Sequence, residues 1–252
     1  MNIAYSPFVR WIKPVVAEPE TLYGKKNQKR IRSTLARVSE HEIEHEFRPL
    51  DEAFLEWFTP LYEETIGAKQ NAAVHDLHKM TLGNTESLSE YWCLTLTQSG
   101  AYIGGTIIGV REDKIMIAYR TYQQKWNGEL TLQGNPSLYT EYLASAWAYE
   151  LGKDFISHGK DRNPYGMNAA IGLAIFKLSV GCKAYILEES KDYLREEIDT
   201  TTIGEDSLIL HYPEHGDEIL EATLLCTQET EMKYSQLTGY TEQLRVNISY
   251  RD

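Results

Sequence analysis

Residues 92–122 constrain the fold more than any other stretch of the chain. Trp92, Leu94 and Leu96 alternate with Cys93, Thr95 and Thr97, the period-two pattern of a strand with two unlike faces. Ser99-Gly100 then offers a two-residue hairpin turn into AYIGGTIIGV at 101–110, and Glu112-Asp113 turns the chain again into KIMIAYRTY at 114–122. Three strands on two short turns must form an antiparallel meander, because parallel neighbours need a crossover of about a dozen residues or more.

The flanking periodicities fix how that meander is completed. Downstream, a polar loop (QQKWNGELTLQGNPS) leads to a helix over about 138–151, with Leu138, Tyr142, Ala146 and Tyr149 as its apolar face and Gly152 as its stop. A strand at 154–159 (DFISHG) follows, then the loop KDRNPYGMN, a helix over about 169–180 ending at Gly181, and a strand at 184–187. Upstream, Ile43, His45 and Phe47 alternate with glutamates as a strand, and Asp51 is placed to cap a helix running to about Ile66, stopped by Gly67. A second helix is expected over roughly 68–82. Strict strand–helix alternation would give a doubly wound parallel sheet. This order predicts a mixed α/β (α+β) sheet instead, a meander joined to a strand–helix–strand crossover.

Three divisions follow. Residues 1–40 read as an arm, extended around Pro7, Pro14 and Pro19, followed by a basic helix over 25–38 with Ile31, Leu35 and Val38 on one side. Residues 41–189 form the core. Residues 190–252 form a strand-rich extension packed on it, through 207–212, 219–227 and 244–250. With 42% hydrophobic and 25% charged residues among 252, this is an ordinary globular composition. No apolar run approaches the ~18–20 residues of a membrane helix, and Arg10, Lys13 and two prolines interrupt any signal-peptide pattern at the start. Cys93, Cys182 and Cys226 all sit in apolar contexts, which suits a reducing compartment, so the cytoplasm is the expected location. The net charge is −12, yet residues 21–39 carry six basic side chains and no acid. Elsewhere 19 basic residues face 37 acidic ones. That balance disfavours broad nucleic-acid wrapping and leaves one basic segment able to touch a phosphate.

Among motifs, His41-Glu42-Ile43-Glu44-His45 matches H-E-x-x-H literally. Zinc proteases need that motif on a helix. Here the period is two, and histidines four apart on a strand lie ~13 Å from each other, too far to share a metal with ~2 Å bonds. No metal is expected. G-x-S-x-G, the phosphate-binding G-x-x-x-x-G-K-[ST] and a dinucleotide fingerprint are all absent. The densest chemistry lies in 142–181. His158, Lys160, Asp161, Arg162 and Tyr165 cluster at the end of a strand and in the loop after it, where ligands of α/β sheets collect. Lys177 interrupts the apolar run Ile175, Phe176, Leu178, Val180, so it either snorkels outward or enters a polar pocket.

The order of elements resembles the GNAT acyltransferase fold. The series A-x-x-W-A-x-E-L-G, H-G-x-D and G-L-x-x-F-K-x-x-x-G resembles the second half of that fold in Fem-type aminoacyl-tRNA-dependent peptidyltransferases and their single-domain relatives. Here it runs through Ala144 to Gly152, His158, Gly159, Asp161, Gly172, Leu173, Phe176, Lys177 and Gly181. The basic helix leading into EHEFRPLDEAFLEWFTPLYEET resembles the entry to their first strand and helix, so the likeness spans about 25–188. Fem proteins usually carry two such domains, and this chain has room for one. Acetyl-CoA members carry [RQ]-x-x-G-x-[GA] before the third helix, which QQKWNGELTLQGNPSLY lacks, so the donor is held in another way.

The resemblance implies an amide-forming acyltransferase or aminoacyltransferase. In that fold the strands at 114–122 and 154–159 splay apart around an acyl donor, either aminoacyl-tRNA or an acyl-CoA or carrier thioester. Lys177 of the Phe176-Lys177 pair would stand near the developing charge, with backbone N–H groups around Tyr119–Tyr122 as further donors. His158 and Asp161 are the candidate bases. Arg120, Tyr122, Arg162, Tyr165 and Phe176 are the candidate substrate contacts. The acceptor would be a small-molecule or peptide amine, and the 25–37 helix would meet tRNA. The alternative is a catalytically inactive GNAT-like binding or assembly module.

Overall fold

A computed structural model describes residues 2–68, 74–77, 91–123, 125, 126, 129, 130, 132, 135–186, 195–212 and 219–251. In chain order the strands are β1 (Asn2–Tyr5), β2 (Phe8–Pro14), β3 (Ile43–Pro49), β4 (Tyr91–Gln98), β5 (Ala101–Val110), β6 (Lys114–Tyr122), β7 (Lys125–Trp126) and β8 (Glu129–Leu130). They continue as β9 (Phe155–Arg162), β10 (Lys183–Tyr185), β11 (Glu196–Asp199), β12 (Ser207–His211), β13 (Glu221–Cys226) and β14 (Arg245–Tyr250). The helices are α1 (Lys25–Glu40), α2 (Glu52–Gly67), α3 (Pro136–Glu150), α4 (Ile171–Ser179) and the single turn α5 (Glu231–Tyr234). The chain divides into two compact units, one holding residues 14–68 and 74–157, the other residues 2–13 and 158–251.

The first unit contains the meander. β3, β4, β5 and β6 pair antiparallel in that order. The Ser99-Gly100 turn has both residues at positive φ, 50° and 76°, the backbone a tight hairpin requires. β6 then pairs parallel to the start of β9, over Lys114↔Phe155 to Met116↔Ser157. The sheet is therefore mixed, as the order of periodicities predicts. Asp51 caps α2 by accepting from the Phe54 N–H, and the helix buries Phe54, Leu55, Phe58 and Tyr62 against the sheet side that carries Cys93 and Ile107.

Two helices differ from their sequence patterns. α1 buries Asn27, Ile31 and Thr34, while Leu35 is 37% exposed. On α3, Tyr149 is 53% exposed and the buried set is Pro136, Leu138, Tyr139, Thr140, Glu141, Leu143, Ala144, Ser145 and Ala148. This helix is enclosed on more than one side, so a single apolar stripe does not describe it. The helix expected over 68–82 falls, apart from residues 68 and 74–77, outside the described residues.

The second unit contains a five-stranded mixed sheet in the order β11-β1-β12-β13-β14. All its neighbours are antiparallel except β13 and β14. The Pro-rich start is extended, as expected, and is built into paired strands. β1 is paired along its whole length with β11, and β2 pairs antiparallel with β10 over Lys183↔Ile12 to Tyr185↔Arg10. Pro7 falls between the two strands and Pro14 at the end of the second, where a missing N–H breaks no inner ladder. α4 buries Ile171, Ala174, Ile175 and Leu178, a regular i, i+3, i+4, i+7 stripe. Among the described residues, no helix is long and apolar enough to cross a membrane.

Candidate functional site

Of the sequence-predicted residues in the second unit, Lys177 and Tyr165 converge on the largely buried carboxylate of Asp161. Strand β9 runs to Arg162, so Lys160, Asp161 and Arg162 belong to the strand and not, as expected, to a loop after it. Gly159 lies within it at φ +79°, a left-handed conformation that a side chain resists. That single residue resets the alternation of side chains. Ile156, Ser157 and His158 are buried in succession, after which Lys160 and Arg162 face out and Asp161 turns inward.

Asp161 meets Lys177, which α4 delivers from its last turn. The Lys177 Nζ donates to Asp161 Oδ1 and Oδ2, each at 2.7 Å, and to the His158 carbonyl oxygen at 3.0 Å. The two side chains are 6% and 11% exposed. The cation also sits at the C-terminal end of α4, where the helix carbonyls favour positive charge. So Lys177 does not snorkel to solvent; it turns into a polar interior. Of His158, the carbonyl is what engages the ammonium, while its ring is buried.

Tyr165 closes the cluster from the other side. Its hydroxyl donates to Asp161 Oδ2 at 2.7 Å and accepts from the Trp11 indole N–H at 2.7 Å. The Trp11 ring stands edge-on to Tyr165, and its centroid lies 5.8 Å from the Lys177 Nζ. Tyr165 and Trp11 are both 0% exposed. Burial first, then the Asp161 charge and the bond donated to it, hold the Tyr165 phenol well above its ordinary range, with the Trp11 N–H pulling weakly the other way. Tyr165 therefore stays a protonated donor, enclosed by protein. Trp11 and the fully buried Lys13 were missed in the sequence. Val9, Trp11 and Lys13 alternate at period two, a strand signal that the flanking prolines masked.

The loop after β9 is clamped by the C-terminal sheet. The Asn163 amide donates to the carbonyl oxygens of Ser6 and Leu210, and its own oxygen accepts from the Leu210 N–H. Tyr165 and Leu208 exchange two backbone hydrogen bonds at 2.9 Å. Gly166 has φ +98°, and a Cβ there would run into the Asp206 carbonyl oxygen. Residues from β12 thereby set the position of Tyr165.

Arg120 and Tyr122, also expected to contact substrate, belong to the first unit and turn onto α3. Arg120 donates to Glu141 Oε2 at 2.8 Å and to the Ser137 carbonyl at 3.3 Å, and Glu141 is 0% exposed. The Tyr122 hydroxyl lies 2.7 Å from Thr140 Oγ1. Of the remaining candidates, Arg162 is exposed on β9 and Phe176 is half-buried on α4. His41 caps the end of α1 and His45 lies in β3, its ring edge-on to Phe47 and Tyr139. The H-E-x-x-H match is therefore not on one helix. Among the described residues, no group of three His, Cys, Asp or Glu is arranged to hold a metal ion.

No family model matches the chain, and no curated protein matches it. Solved structures do. FemX is similar with a TM-score of 0.55 at 13% identity, over 70% of this chain and 59% of FemX. L-PGS from Bacillus licheniformis has a TM-score of 0.49 at 14% identity, over 73% of this chain and 59% of its own. A tandem GNAT protein from the clavulanic acid biosynthesis pathway has a TM-score of 0.40 at 8% identity, over 72% of this chain and 52% of its own. The chain thus spans 59% or less of the length of each of these structures. On the likeness to FemX, this chain has a FemX-like mixed α/β fold.

Proposed function

We infer that this chain carries out amide-forming acyl transfer, moving an aminoacyl or acyl group from an activated ester or thioester to an amine. The observation that most supports this reading is Lys177: a lysine on an apolar helix, turned inward onto Asp161 at the end of β9, in a chain with a FemX-like fold. In such a reaction the amine nitrogen bonds the acyl carbon while the carbonyl oxygen takes up charge. The C–O or C–S bond then breaks, and the departing oxygen or sulfur ends with the proton the amine gives up. A fixed donor at the oxyanion typically lowers the barrier by ~2.7–4 kcal/mol. Lys177 in that role shares its ammonium between Asp161 and the oxyanion. Asp161 or His158 relays the proton, and Arg162 and Phe176 contact donor or acceptor.

For the donor, aminoacyl-tRNA is supported by the solvent face of α1. Lys25, Lys26, Lys29, Arg30 and Arg32 are exposed there, opposite buried Asn27, Ile31 and Thr34. An acyl-CoA or carrier thioester is the other donor class. The acceptor is a small-molecule or peptide amine. The three cysteines, all buried thiols, support a reducing, cytoplasmic setting.

A binding or assembly module is the second reading, and one observation favours it. The three hydrogens of the Lys177 ammonium already meet three acceptors, so a substrate must compete with Asp161 and the His158 carbonyl. Mass spectrometry of species that co-purify with the protein separates the donors, since retained CoA displaces tRNA, and a salt-sensitive tRNA complex displaces CoA. With the donor known, Lys177→Met decides between enzyme and module. A loss of transfer of ~100-fold or more in a folded variant supports catalysis. Unchanged transfer overturns it.

A further inference from the structure

The strand-rich C-terminal segment has a specific relation to the Lys177–Asp161 pair. Asp161 turns inward on β9, between Lys160 and Arg162, which both face out. Its two oxygens nevertheless stay on Lys177, and one of them also accepts from Tyr165. Tyr165 has no freedom of its own. Trp11 holds its hydroxyl, Leu208 of β12 holds its backbone on both sides, and Asn163 two residues earlier is fixed to Leu210 of the same strand. Gly166 lets that strand approach closely.

We propose that Tyr165 is a positioning residue, through which the C-terminal sheet holds Asp161 in the orientation that engages Lys177. The hydroxyl is too enclosed to touch a substrate, so its part is to restrain the carboxylate. Without it Asp161 is free to rotate, and the ammonium loses its bidentate partner. A hydrogen bond to a charged group is strong enough that its loss should expose the amine about tenfold to a hundredfold more often. This gives β12 a duty at the site, and it stands whether or not the chain transfers acyl groups.

Amine acylation read by mass spectrometry tests it. The full chain is treated with an N-hydroxysuccinimidyl acetate probe, and the rate at Lys177 is followed beside that at Lys13, which is 0% exposed in the same unit and serves as an internal reference. In Tyr165→Phe the Lys177 rate should rise at least about tenfold while Lys13 stays within about twofold. Equal rises at both lysines would mean that the hydroxyl only stabilises the unit, and no rise at Lys177 would mean that Asp161 keeps its orientation unaided; either overturns the proposal. Should Tyr165→Phe fail to fold, Trp11→Phe frees the hydroxyl while leaving its bond to Asp161 possible. A selective but smaller rise at Lys177 is then expected, and its absence is equally decisive. None of these rates depends on a donor or acceptor, so failure of the transferase reading would leave the result standing.

Discussion

Replacing Asp161 with asparagine keeps the size of the side chain and one acceptor oxygen while removing the charge that Lys177 faces. The cost follows from burial. With side chains 6% and 11% exposed, the pair is nearly out of water. An exposed pair would be worth ~0–1 kcal/mol. Removing one partner of a buried pair strands the other charge, which typically costs ~3–5 kcal/mol. Two features pull Asp161→Asn toward the lower end. Lys177 keeps the His158 carbonyl, and the amide oxygen can still accept from Tyr165. A loss of ~3 kcal/mol is therefore expected. If the stranded ammonium is the cause, adding Lys177→Met removes it, and the double variant should regain more than half of the loss. Urea unfolding of the four proteins measures this as shifts in midpoint at constant slope. The reasoning fails if Asp161→Asn costs less than ~1 kcal/mol, or if the two substitutions add to within ~0.5 kcal/mol.

Three further outcomes can be checked. Gly166→Ala places a Cβ against the Asp206 carbonyl at φ +98°, so it should destabilise by at least ~2 kcal/mol, whereas Gly159→Ala, at φ +79° with open space around it, should cost only the ~1–2 kcal/mol of backbone strain; comparable losses by thermal unfolding would refute the distinction. Arg120→Ala strands the fully buried Glu141 and should cost ~3–5 kcal/mol, with Arg120→Lys restoring little because one ammonium cannot reproduce the guanidinium contacts to Glu141 and Ser137; full recovery by lysine would count against this. Burial lowers the His45 pKa below 6.5, with Glu150 opposing the shift, so this group's contribution to stability is present above pH 6.5 and is lost as the pH falls through the folded-state value. NMR titration should find His45 below 6.5 and lower still in Glu150→Gln, and a higher midpoint in that variant would contradict the assignment.

What could be read from the sequence, and what could not, divides along local and non-local physics. The α2 cap at Asp51, the Ser99-Gly100 hairpin and the α4 stripe rest on neighbours a few residues apart, and each appears where its pattern placed it. α3 was misread because a helix covered on several sides buries Glu141 and Thr140 as readily as leucine, provided Arg120 and Tyr122 arrive from β6 to meet them. The extended start of the chain was legible from its prolines, but its pairing was not, because its partners, β10 and β11, lie more than 170 residues away. β9 ran longer than expected because Gly159 bends the strand without ending it.

The same division holds at the site. Period and composition place a lysine in an apolar helix and an aspartate just beyond the expected end of a strand. Their meeting at 2.7 Å, the closing of Trp11 and Tyr165 around them, and the hold of β12 on Tyr165 arise from long-range packing. A local pattern records which face of an element avoids water. It carries no record of which distant polar group will compensate a buried charge, because that pairing exists only once the chain has folded.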